Sequence, residues 1–171
     1  MTGVIFTIGH SNHPAERFLA LLNQHGIRQL ADIRSQPASR FTPHFNRQTL
    51  AALLGKCGIA YRWMGEALGG RPRDRQAYDA VGHVDYAKLA ALPIFQAGVA
   101  ELISWAAEQP TAIMCAERDP RQCHRTHLVT PALLGCHVDV QHILVDGAVM
   151  PHAALQRPAE PQMDLFEDGL I

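Results

Sequence analysis

The sequence predicts an α/β domain built on a mainly parallel sheet of about five strands, with helices on both faces. Three observations predict it. Short apolar runs alternate along the chain with stretches of helical periodicity. Glycine, proline and Asn/Asp/Ser clusters punctuate the boundaries between them. Polar, chemically capable residues follow the strands, as in open α/β sheets, where sites lie beyond the carboxyl ends.

The elements follow in order. Residues 4–8 form an apolar strand, and Gly9-His10-Ser11-Asn12 is its exit loop. Pro14 suits a first helical position, with Ser11 or Asn12 as cap, Phe18, Leu19, Leu21 and Leu22 inward, and a stop at Gly26. Residues 27–33 give a second strand, so the chain opens with one right-handed crossover unit. Residues 35–44, with Pro37, Ser39, Arg40 and Pro43, read as an ordered functional loop. Asn46 is placed to cap a helix over Leu50, Leu53 and Leu54, and residues 59–64 make a third strand. Residues 65–86 carry Gly69-Gly70-Arg71-Pro72 and little periodicity, so they read as an insertion, either a lid or a packing surface. A short helix near 86–92 and a longer one over 95–108 lead to a buried strand, Thr111-Ala112-Ile113-Met114-Cys115. Cys123-His124-Arg125 opens a helix on Leu128, Val129, Ala132 and Leu133 that Gly135 ends. Residues 138–145 form the last strand, and a short helix over 152–156 closes the domain. The whole reads as one Rossmann- or flavodoxin-like domain over 1–157 with an exposed tail over 158–171.

Composition narrows the class. Nearly half of the 171 residues are apolar, enough for one sizeable core. No apolar run approaches the ~18 residues of a membrane helix, and the first ten residues read as a strand and not a signal peptide. Four scattered cysteines, without zinc-type paired spacing, suit reduced thiols in a cytoplasmic protein. Residues 28–75 hold nine basic against three acidic side chains, a local excess of six that suits either phosphates or an ordinary solvated face. The tail from Pro158 holds Glu160, Asp164, Glu167 and Asp168 and no Lys or Arg.

Three strand ends converge on one edge. The first delivers His10 and Ser11, the second Asp32 and Arg34, and the third Cys115 and Glu117. Beyond the third lie Arg121, Cys123, His124 and Arg125, and the cations there favour an anionic ligand at the helix start. Cys115 and Cys123 admit three readings: catalytic thiols, buried packing residues, or metal ligands. The spacing Cys115-x5-Arg121 matches an anion loop of phosphatases or sulfurtransferases, although the loop has no glycine and Pro120 removes an amide. A lone Cys-x7-Cys-His lacks the second paired half of a zinc site, so no metal ligand is assigned. Asp32 and Glu117 suit acid–base work or a shared divalent ion such as magnesium; equally, each suits pairing with a neighbouring Arg.

The motifs Thr7-Ile8-Gly9-His10-Ser11, Asp32-Ile33-Arg34, Pro37-x-Ser39, Leu68-Gly69-Gly70 and Cys115-x-Glu117-x-x-Pro120-x-x-Cys123-His124-Arg125 resemble one bacterial and archaeal family, domain of unknown function 488. The resemblance runs from about residue 4 to 145 and implies an α/β fold with these motifs around one pocket. Separately, Gln162-Met163-Asp164-Leu165-Phe166 resembles the bacterial sliding-clamp-binding pentapeptide at all five positions, which implies a clamp as partner; self-docking is the alternative.

The function expected is a cytoplasmic enzyme, a hydrolase of nucleic acid or a phosphate-bearing nucleotide, brought to DNA replication or repair by its tail. Arg34, Arg40, Arg121 and Arg125, with Ser11 and Ser39, would bind substrate. Asp32, Glu117, His10, His124, Cys115 and Cys123 are the candidate catalytic groups. The alternatives are a thiol-dependent phosphatase or sulfurtransferase, and a non-catalytic nucleic-acid-binding adaptor.

Overall fold

A computed structural model describes residues 3–155. The tail, with its clamp-like motif at Gln162, Met163, Leu165 and Phe166, lies outside the described residues. Within them the chain runs β1 (Val4–Gly9), α1 (Ala15–Gln24), β2 (Gln29–Asp32), α2 (Arg47–Lys56), β3 (Ala60–Trp63), α3 (Gly65–Leu68), α4 (Tyr86–Ala91) and α5 (Pro93–Ala106). It continues with β4 (Thr111–Cys115), α6 (Thr130–Gly135), β5 (Asp139–Ile143), β6 (Val149–Pro151) and α7 (His152–Leu155).

One six-stranded sheet has the order β3-β2-β4-β1-β5-β6, parallel throughout except for β6, which runs antiparallel to β5. Strands β2 and β4 are buried along their whole length; this fits the almost continuous apolar sequence of β4, whereas β2 also buries the polar Gln29 and Asp32 at its two ends. Alternate residues divide between two cores. Ile8, Leu30, Ala112 and Met114 meet Phe18, Leu21 and Leu22 of α1 and Leu50 and Leu54 of α2. Ile5, Ala31, Ile113 and Cys115 meet Phe95, Val99 and Leu102 of α5 and Leu133 of α6. The chain therefore leaves β1 and β2 toward one face and β4 toward the other. The carboxyl ends of the adjacent strands β2 and β4 flank a topological switch point, where such sheets open a crevice. Among the described residues no helix is long and apolar enough to cross a membrane.

Four local expectations are corrected. The sixth strand follows from Asp146-Gly147: Gly147 adopts φ 91°, and Asp146 Oδ1 accepts the Ala148 N–H, which turns the chain back on β5. Pro14 is the residue preceding α1 and no side chain caps that helix; Ser11 sits in a left-handed turn (φ 48°) that holds its hydroxyl on Asn12. Asn46 stands at the start of α2, but its Oδ1 accepts the Ser39 N–H and so anchors the preceding loop. The expected helix after Cys123 begins as a π-helical turn over Arg125–Val129 before α6. Pro131 has no N–H to give to a regular helical turn, and the Thr130 hydroxyl donates to the Arg125 carbonyl at 2.6 Å.

Candidate functional site

A polar cleft of about 360 Å³ opens between the loops that follow β2 and β4. Arg34, Glu117 and His124 line it, as the strand-end argument expects, together with Ser35, Arg71, Tyr86 and Gln122, which no motif marked. The insertion supplies Gly70 and Arg71 to the lining of the cleft. A side chain at Gly70 would place its Cβ 2.8 Å from the His124 ring, so the insertion can lie this close only as glycine. Gly9 has the same role on the other flank, where a Cβ would overlap the Glu117 carbonyl.

The β2 exit is a closed polar network. Asp32, fully buried, accepts from the Arg34 backbone N–H (3.1 Å) and Nε (2.8 Å) at Oδ1, and from Arg34 NH2 (2.6 Å) and the Tyr61 hydroxyl (2.7 Å) at Oδ2. Arg34 also donates to the Phe45 carbonyl and to His10 Nε2. His10 donates from Nδ1 to the Ser11 carbonyl and stacks on Phe45 with ring centroids 4.4 Å apart. Burial first, and then the Arg34 charge, bring the His10 pKa down to about 4, so the ring is neutral and accepts from Arg34. Burial and the Asp32 carboxylate push the Tyr61 hydroxyl far up, keeping it a donor.

The β4 exit gathers reactive groups. Cys115 and Cys123, both buried, have their sulfurs 2.8 Å apart, and Cys123 Sγ lies 3.2 Å from Glu117 Oε2. Burial works against the Glu117 carboxylate. Hydrogen bonds from Cys123, its own N–H and Cys115, with the nearby His124, outweigh burial and hold its pKa below the usual value. His124 Nε2 lies 3.1 Å from the Ile33 carbonyl, an acceptor only, so Nε2 carries the proton and Nδ1 is left as a lone pair 3.8 Å from Cys123 Sγ. Burial lowers the His124 pKa, so the ring is neutral near pH 7. Tyr86 faces the same charges: burial, then Cys123 and Glu117, raise its pKa and keep its O–H.

The helix start itself is already occupied. The Arg125 N–H donates to Cys123 Sγ (3.4 Å), and the N–H groups of Thr126 and His127 donate to the Cys123 carbonyl. These amides are not free for a substrate anion; the positive end of the helix falls on the Cys123 sulfur.

Other expected site residues stand apart. Arg121 is exposed, lies 3.4 Å from Asp119, and lines a separate groove with Leu144, Val145 and Met150, so Cys115-x5-Arg121 does not close over an anion. Arg40 lies over the Phe41 ring at the surface, and the Ser39 hydroxyl accepts the Phe41 N–H. Arg125 is fully buried, with NH2 donating to the Arg118 carbonyl and Nε and NH1 without a hydrogen-bond partner. The missed lining residues gave weak signals. Arg71 adjoins Gly69-Gly70, whereas Tyr86 stands at a helix start that Asp85 caps, with no motif around it.

The model of one protein family, described as domain of unknown function DUF488, matches residues 14–130, more than half of the chain. Neither the curated proteins nor the solved structures contain a match to it. The chain belongs to the DUF488 family.

Proposed function

We propose that this DUF488 protein is an enzyme acting on a phosphate-bearing nucleotide or on nucleic acid, at the cleft beyond β2 and β4. One observation carries the reading: the polar cleft adjoins a second, larger hollow of about 640 Å³, and Ser35, Gln36 and Arg71 line both. The second hollow has an aromatic and apolar wall of Trp63, Leu89, Leu92 and Ile94, with Arg73 at its side. A flat base suits that wall, and a phosphate beside Arg71, which lines the cleft as well, would put the reacting group next to Glu117 and His124. The basic excess over residues 28–75 agrees with such a ligand.

In this reading Glu117, ionised at neutral pH, takes a proton from the attacking group, and His124 Nδ1 and the Tyr86 hydroxyl orient it. Asp32 and His10 act through Arg34, which they hold at the cleft wall. Both oxygens of Asp32 are engaged, so an ion shared with Glu117 would have to displace Arg34 or Tyr61. The tail pentapeptide would bring the enzyme to a sliding clamp, and so to replicating or repaired DNA.

Titration of the full chain with nucleoside monophosphates and a single-stranded oligonucleotide tests the reading. Binding should weaken as salt rises and fall at least about tenfold in Arg71→Ala. Salt-independent binding, or none, overturns it. Binding without turnover supports the adaptor instead. Loss of clamp binding in the Gln162→Ala, Phe166→Ala double variant tests the tail separately.

A further inference from the structure

Beyond the substrate, we infer that Cys115, Cys123 and Glu117 hold one zinc-like, thiophilic divalent metal ion with an open fourth position toward the cleft. One ligand atom from each of the three lies within 4.8 Å of the other two. They come from the end of β4, the loop after it and the start of the next helix, so strand and helix fix the set from both sides.

The donor types select the ion. Two sulfurs and one carboxylate oxygen suit zinc, while magnesium takes oxygen ligands and keeps its waters. A tetrahedral ion about 2.3 Å from each sulfur separates them by roughly 3.8 Å. The sulfurs lie 2.8 Å apart, so side-chain rotations of about 1 Å admit the ion. Three protein ligands with one position left is the pattern of catalytic zinc, whereas closed structural sites use four. Glu117 and His124 both line the cleft, so the open position would face it beside the His124 Nδ1 lone pair; Glu117 would hold the ion through one oxygen and keep the other as the base proposed above.

A second observation, independent of the ligands, concerns charge. Arg125 is fully buried, and among the described residues no carboxylate pairs with it; its Nε and NH1 have no partner. A buried guanidinium cannot shed its proton and needs a compensating negative charge. Two thiolates, one carboxylate and a divalent ion carry a net charge of −1, which matches it. The Arg125 N–H already donates to Cys123 Sγ, the contact a ligating thiolate requires. In the binding step two S–H protons leave to solvent as two sulfur–metal bonds form, so no oxidant or reductant is involved.

The test uses the full chain, reduced and then freed of reductant. After equilibration with zinc and desalting it should retain about one ion per chain and release two protons per ion bound. Cobalt(II) in place of zinc should give sulfur-to-metal charge-transfer absorption, a readout that needs no variant and no substrate. Cys115→Ser and Cys123→Ser should each lose retention. Glu117→Gln should weaken it by more than the roughly 10–100-fold typical of losing an outer-shell partner. The double variant at Cys57 and Cys136, both exposed and elsewhere, should bind normally. A folded chain that retains no zinc and gives no charge-transfer band overturns the inference. So does a pair that closes into a disulfide in the presence of excess zinc. Neither result depends on finding the substrate, so failure here and failure of the nucleotide reading are separate.

Discussion

The exits of β2 and β4 lie side by side at one edge of the sheet and are built in opposite ways. At the β2 exit every oxygen of Asp32 has a donor, and Arg34 joins Asp32, His10 and Phe45 in one buried network. At the β4 exit donors and acceptors do not match: two sulfurs and a carboxylate crowd together, while Arg125 Nε and NH1 and Thr126 Oγ1 lack partners. A satisfied buried network fixes geometry, and spending its hydrogen bonds on a ligand would cost the fold. An unsatisfied cluster has capacity to spare. In the proposed reading the first exit is scaffold and the second carries the chemistry, although both offered the same kinds of residue in the sequence.

The largest effect should come from breaking the closed network. Asp32→Ala leaves Arg34 buried without its counter-ion and should cost about 3–5 kcal/mol in a urea unfolding experiment. Cys123→Ser in metal-free chain removes no partner of that kind and should cost less than half as much. Equal losses would erase the distinction between the exits. Next comes the contact that joins them to β1. Gly9→Ala forces the Glu117 backbone away from β1 and should cost about 1–3 kcal/mol, with zinc retention reduced as Glu117 shifts. Unchanged stability and retention would show that the two loops move freely past each other.

Protons probe the same contrast. Burial first, and then neighbouring charge, bring both His10 and His142 down to about 4; His142 lies beside Thr7 and His152 and feels Arg125. The unfolded chain takes up these protons near pH 6.5, but the folded chain does so only near 4. Their contribution is therefore complete above pH 6.5 and is lost as pH falls toward 4. The melting temperature should drop by several degrees over that window, and His142→Gln should flatten part of the drop. A melting temperature that rises on acidification would contradict the neutral assignment of both rings.

Much of this was legible in the sequence, and the limits have physical causes. The five parallel strands and the order of the helices followed from periodicity because the sheet is buried on both sides. The missed strand β6 is three residues long, too short for a pattern, though Asp146-Gly147 marked its turn. The gathering of His10, Arg34, Glu117 and His124 at one edge of the sheet was legible because parallel strands all end on the same side. The roles of the arginines were not. Residue type points to phosphate for Arg121 and Arg125 alike, yet one pairs with Asp119 at the surface and the other is wholly enclosed. Spacing along the chain also hid the donor set, because the third member is a glutamate between the two cysteines and not a second Cys or His pair.

The sharpest test of the closed network removes a single bond from it. Tyr61→Phe removes one hydrogen bond to Asp32 Oδ2 and leaves the three from Arg34 in place. The ring stays, so packing is kept and the loss is that of one bond to a charged acceptor, about 1.5–2 kcal/mol. Because Asp32 then holds only Arg34, the removal of both partners should not be additive: Asp32→Ala combined with Tyr61→Phe should cost less than the sum of the two singles. Metal retention should be untouched in Tyr61→Phe, since nothing at the β4 exit depends on that hydroxyl. If retention fell with it, the two exits would be one coupled unit, and the division of labour between scaffold and reactive cluster would have to be given up.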